Sequence, residues 1–131
     1  MNVAYFDTSA LVKLAVAEPE TRALRDWIAQ ETLRPASSAL AGVELRRAAR
    51  RHGQSALATA ADVMSGINVI AIRPEILDGA AALDPPTLRT LDAIHLATAL
   101  RIGSSLAAFV AYDQRLAEAA QAAGLPVVAP A

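Results

Sequence analysis

Along this chain, short runs of branched or aromatic apolar residues alternate with longer stretches whose apolar positions recur every three or four residues. The first pattern predicts buried strands and the second amphipathic helices. Val3–Phe6 reads as a short strand, followed by a helix from about Ser9 to Ala17. Pro19 opens a second helix, Glu20 to Gln30, with Leu24, Trp27 and Ile28 as its apolar stripe. A strand near Leu33–Ser37 leads to Ser38, a good N-cap for a helix from Ala39 to about Arg51 that stops at His52-Gly53. Ser55–Met64 reads as a helix. Val69–Ile72, β-branched and uninterrupted, reads as a central strand, and Pro74 begins a helix through Leu83. After the Asp84-Pro85-Pro86 break, Thr90 is expected to cap a helix from Leu91 to Ile102, ended by Gly103. Phe109–Tyr112, a helix Gln114–Ala122 closed by Gly124, and a short strand Val127-Val128 complete the chain. Five short strands separated by helices imply an α/β fold, a parallel sheet with helices on both faces.

Four carboxylates stand out against this frame. In sheets of this kind ligands bind beyond the C-terminal ends of the strands. Asp7 follows the first strand, and Asp113 follows or ends Phe109–Tyr112. Each also stands where an aspartate caps the next helix, so position alone leaves both roles open. Glu44 and Asp92 are less ambiguous. On its helix Glu44 shares a line with Leu40 and Ala48, well past the first turn, and an acid in an apolar stripe needs a partner or loses its charge. Arg47 and Arg51, on the same face, are the plain ion-pair partners. Asp92 shares a face with Leu88, Leu96 and Ala99, while Ile94 and Arg101 point the other way. Four such acids brought together repel unless cations sit between them, and oxygen-only ligands suit magnesium or manganese. Ions held in this way activate water and stabilise charge on a phosphate during in-line displacement.

Composition narrows the alternatives. With 131 residues, 54% of them hydrophobic and 19% charged, the chain suits one folded domain, and it has no internal repeat or linker. The absence of cysteine removes disulfides, thiolate metal sites and cysteine nucleophiles. No basic segment precedes the first apolar run, and no apolar stretch approaches the roughly 20 residues of a membrane helix, so a soluble cytoplasmic protein is expected. Net charge is −1, which gives no overall field to attract a polyanion, and of the twelve basic residues only Lys13 is a lysine. Arginine suits forked phosphate contacts, although arginine and alanine richness also reflects base-composition bias.

The segments Tyr5-Phe6-Asp7-Thr8-Ser9-Ala10-Leu11-Val12-Lys13-Leu14, Ser38-Ala39-Leu40 with Val43-Glu44-Leu45-Arg46-Arg47-Ala48, Leu91-Asp92-Ala93-Ile94-His95-Leu96-Ala97 and Tyr112-Asp113-Gln114-Arg115-Leu116 resemble those of PIN-domain ribonucleases of the VapC toxin type. The resemblance spans nearly the whole chain in order and spacing. It implies a single PIN domain over residues 1–131, with a Rossmann-like α/β/α sandwich. It further implies magnesium- or manganese-dependent endoribonuclease activity on structured RNA such as tRNA, rRNA or mRNA. A VapB-type antitoxin that wraps the toxin, a homodimer, and operator DNA reached through the antitoxin are the implied partners. On this resemblance Asp7 and Asp92 are the direct ligands of the first metal, Asp113 binds directly or through water, and Glu44 orients the attacking water or holds a second ion.

Other residues carry weaker readings. Thr8 and Ser9 either cap the first helix or support Asp7 and the phosphate. His95, one turn from Asp92, reads as a packed structural histidine rather than a general acid. Arg47 and Arg51 suit RNA or antitoxin contact, against a default of an exposed charged face. Phe6 and Tyr112 read as core rather than base-stacking platforms. A phosphate-receiver domain would need a lysine after its last strands, and an aspartyl-phosphate phosphatase a second aspartate where Ser9 stands. A non-catalytic PIN scaffold that only binds protein fits the fold but leaves the four acids unexplained.

Overall fold

A computed structural model describes all of residues 1–131. Its centre is a five-stranded, wholly parallel sheet in the order β3-β2-β1-β4-β5, with β1 Val3–Phe6, β2 Arg34–Ser38, β3 Asn68–Ile70, β4 Leu106–Val110 and β5 Val127–Val128. Seven helices connect them: α1 Thr8–Ala15, α2 Thr21–Glu31, α3 Ala39–Arg50, α4 Gln54–Ser65, α5 Pro74–Ala81, α6 Thr90–Ile102 and α7 Gln114–Ala122. None is long and apolar enough to cross a membrane. The expected α/β class and the parallel five-stranded sheet are therefore present.

Strand periodicity divides the core. Ala4 and Phe6 of β1, with Ala108 and Val110 of β4, meet Leu11, Leu24, Leu45 and Ala60 of α1–α4. Tyr5 and Phe109 point through the other face onto Leu96, Ala99, Leu116 and Ala120 of α6 and α7. Tyr5 and Phe109 are register partners, with parallel rings 5.5 Å apart. Because both faces of β1 and β4 are covered, neither strand alternates apolar with polar residues.

Four expectations need correction. The Val69–Ile72 run is not a central strand: β3 covers Asn68–Ile70, pairs only with β2 and forms the sheet edge, where Val69 is 53% exposed. A β-branched run reports a side chain's fit to a pleated surface, not which strands lie beside it. The fourth strand begins at Leu106 instead of Phe109 and ends before Ala111-Tyr112. Its alanine-rich start carries little strand propensity of its own and is recruited by β1, against which Leu106 and Ala108 pair. Finally, Thr90 is the first residue of α6, not its cap; Arg89 stands in the cap position without a side-chain capping bond. Ile94, expected to face away from the core, is buried against Ile76 and Ala97, because α5 covers that side of α6.

β1 lies mid-sheet, with β2 and β3 laid down on one side and β4 and β5 on the other. The order reverses between β1 and β4, and in parallel sheets of this kind such a switch point places a crevice beyond the C-terminal strand ends. Asp7 and the Ala111–Asp113 turn lie there.

Candidate active site

The residue after β1 is Asp7, whose N–H still donates to Val110 O at 3.1 Å, so the β1–β4 pairing sets its place. Its Oδ1 accepts from Ala10 N at 3.0 Å and from Ser9 Oγ at 2.6 Å, which caps α1. Both donors fall on Oδ1, leaving Oδ2 for another partner. The side chain is buried, and burial pushes its pKa up to about 6; the Ser9 and Ala10 hydrogen bonds oppose that rise, and the charge of Asp92 adds to it. Ser9 Oγ also accepts from Tyr112 N at 2.9 Å, tying α1 to the turn that carries Asp113. Asp113 caps α7 through Oδ1, which accepts from Leu116 N at 3.0 Å. Both aspartates thus do cap helices, with one oxygen each. Ser9 caps nothing; it supports Asp7. Tyr112 lies beyond β4, half-buried, with Lys13 Nζ 4.6 Å over its ring.

Glu44 reaches the crevice from α3. Its partner is neither Arg47 nor Arg51: Oε1 accepts from His95 Nε2 at 2.7 Å and from Thr8 Oγ1 at 2.5 Å. A carboxylate only accepts, so Nε2 carries the proton and Nδ1 accepts from Tyr5 Oη at 2.6 Å. Tyr5 and His95 are buried, and burial raises the Tyr5 pKa, which keeps the phenol a donor. Burial also pushes the Glu44 carboxyl up, but the bonds from His95 and Thr8 outweigh it and leave the pKa below its ordinary value. His95 is the packed histidine the sequence suggested, with a task the sequence did not reveal: it joins Glu44 to the strand floor.

Asp92 lies in the first turn of α6, half-buried, near the positive end of the helix. Burial raises its pKa and the charge of Asp113 adds to the rise, while Arg89 opposes it. Arg89 Nε lies 3.3 Å from Asp92 Oδ2, and Nη2 lies 3.4 Å from Asp113 Oδ2. No three Asp, Glu or His side chains stand close enough to share one cation in this arrangement. The donor chemistry nevertheless fits a hard cation: three carboxylates with oxygen donors only, two of them with raised pKa values, and a guanidinium already held between two of them.

Beside Glu44 runs a groove of about 720 Å³ lined by Leu40, Val43, Arg47, Arg50, Arg51 and Leu91. Arg47 and Arg51 are exposed along it and pair with no carboxylate. Sequence reasoning missed Tyr5 and Arg89 as parts of the site. Arg89 was visible as a basic residue three before Asp92 on a helix start; Tyr5 had no signal beyond its place in a buried strand.

A family model described as the PIN domain matches residues 4–122. The chain is 44% identical over 130 residues to Ribonuclease VapC46 of Mycobacterium tuberculosis, covering 99% of both proteins. It is 49% identical over 129 residues to Ribonuclease VapC35 of the same organism, covering 96% of both. Among solved structures, a toxin–antitoxin complex from Klebsiella pneumoniae is similar, with a TM-score of 0.73, 25% identity and 98% of each chain covered.

Proposed function

The chain belongs to the PIN-domain family and is a VapC-type ribonuclease; from that premise we propose that it is a magnesium- or manganese-dependent endoribonuclease toxin whose site is Asp7, Glu44, Asp92 and Asp113. The observation that supports this reading is the placement of acids at the switch in sheet order: Asp7 and Asp113 follow the neighbouring strands β1 and β4, and Asp92 shares Arg89 with Asp113.

Asp7, Asp92 and Asp113 would hold the cation, which when bound supplies an activated water and neutralises charge on the scissile phosphate. Glu44 is held ready for a different task. With Oε1 taken by His95 and Thr8, and with its pKa lowered, Oε2 stays ionised and free to orient a water by accepting its proton. Thr8 and His95 fix that carboxylate, and Ser9 fixes Asp7. Arg47 and Arg51 offer forked contacts to backbone phosphates as RNA enters along their groove. Structured RNA (tRNA, rRNA or mRNA) is the proposed substrate, and a VapB-type antitoxin the partner that silences the site. The similar Klebsiella protein, described as part of a toxin–antitoxin complex, favours that partner. A homodimer, and operator DNA reached only through the antitoxin, belong to the same reading.

The test is cleavage of folded RNA transcripts with magnesium or manganese, with EDTA, and with Asp7→Asn. Cleavage with metal, lost in the other two arms, is expected. Equal cleavage in all three arms overturns the metal-dependent reading.

A further inference from the structure

Arg89 occupies an unusual place. It stands at the N-cap position of α6 with extended backbone (φ −63°, ψ 147°), yet its side chain makes no capping bond. It reaches instead to two carboxylates. One guanidinium spans two carboxylates carried by different elements, Asp92 on α6 and Asp113 before α7, at 3.3 and 3.4 Å. No other basic group within salt-bridge distance serves the three aspartates: Lys13 is taken by Glu18 and Glu20, and His95 by Glu44. The contacts are long, and the arginine side chain is 69% exposed, so it is easily exchanged for a stronger cation.

A single positive charge between two acids does what a divalent ion would do there, less strongly. An ion held by Asp92 and Asp113 would draw on the carboxylates that Arg89 now contacts, so the two would compete. Once displaced, the guanidinium remains anchored one helical turn from Asp92, at the edge of the site, with its five donors unused. The chemistry nearest to hand for it is a phosphate of the bound strand.

We propose that Arg89 is a built-in counter-cation: it holds Asp92 and Asp113 together in the metal-free protein, yields their oxygens to a divalent ion, and turns to a phosphate of the RNA. The second half rests on the ribonuclease reading; the first half is measured without RNA. Arg89→Gln removes the charge and leaves the crevice lining in place. Manganese is titrated into both proteins and followed by the free-ion resonance signal. Arg89→Gln is expected to bind about three- to tenfold more tightly than wild type, with Arg89→Lys returning toward the wild-type value. Its KM for RNA is expected to rise about three- to tenfold while kcat stays within about twofold.

Equal or weaker manganese binding by Arg89→Gln overturns the displacement. An unchanged KM overturns the phosphate contact. If neither protein binds manganese, the four-acid metal site falls and the proposal with it, a result distinct from equal binding by both.

Discussion

Glu44 has two donors on one oxygen and, behind them, a hydrogen-bonded path through His95 to Tyr5 on the central strand. Across the crevice, Asp7 is buried with a raised pKa, and Asp92 and Asp113 share one exposed arginine. The same residue class is therefore treated in two ways. At Glu44 the fold itself satisfies the charge. At the three aspartates the fold gathers charges and offsets them only in part, with the Ser9 and Ala10 donors at Asp7 and one guanidinium between Asp92 and Asp113. The difference implies that the fold's own donors fix Glu44, whereas Asp92 and Asp113 rest on one exposed guanidinium.

The comparison breaks most visibly at His95. His95→Ala removes a buried ring, takes a donor from Glu44 and orphans the Tyr5 hydroxyl. A loss of about 2–4 kcal/mol in urea unfolding is expected, with cleavage lost as well. A loss below about 1 kcal/mol would mean that Thr8 alone holds Glu44.

Next in size is the pH dependence of Asp7. Its folded pKa, about 6, lies above the ordinary carboxylate value, so the folded state keeps the proton more tightly than the unfolded state. The stabilisation is complete below the ordinary pKa and is lost as pH rises through about 6. About two units correspond to roughly 3 kcal/mol. Without metal, wild type should therefore lose stability relative to Asp7→Asn between pH 4 and 7, since asparagine keeps the cap but carries no charge. Parallel stability profiles would show that Asp7 already has a compensating partner.

The smallest effect sharpens the Glu44 side. Tyr5→Phe removes one hydrogen bond and frees the His95 tautomer, at about 1 kcal/mol. Its cleavage rate should fall less than that of His95→Ala. An equal fall would mean that the tautomer, not the ring's presence, sets Glu44.

Much of this was legible along the chain. The helices lie within a few residues of their expected bounds, Ser38 caps α3 with its hydroxyl, and Asp7 falls at the end of β1. The errors concern neighbours. Val69 is a good strand residue at a sheet edge, and the Leu106-Ala107-Ala108 start of β4 is a poor strand sequence beside a strand that needs a partner. Glu44 was recognisable as an acid in an apolar stripe, but its nearest candidate partners on the helix were the wrong ones.

Helix periodicity, caps and chain breaks depend on residues a few positions apart and so can be read along the chain, as can the residue types from which a hard-cation site could be built. The tertiary structure alone decided which strand became the edge, which donors Glu44 received and where Arg89 bends. Those outcomes join positions far apart in the chain: Thr8 and His95 lie 36 and 51 residues from Glu44, Tyr5 lies 90 from His95, and Arg89 lies 24 from Asp113. No local pattern encodes such pairs, because each forms only after the sheet has closed around β1 and brought its two flanks together.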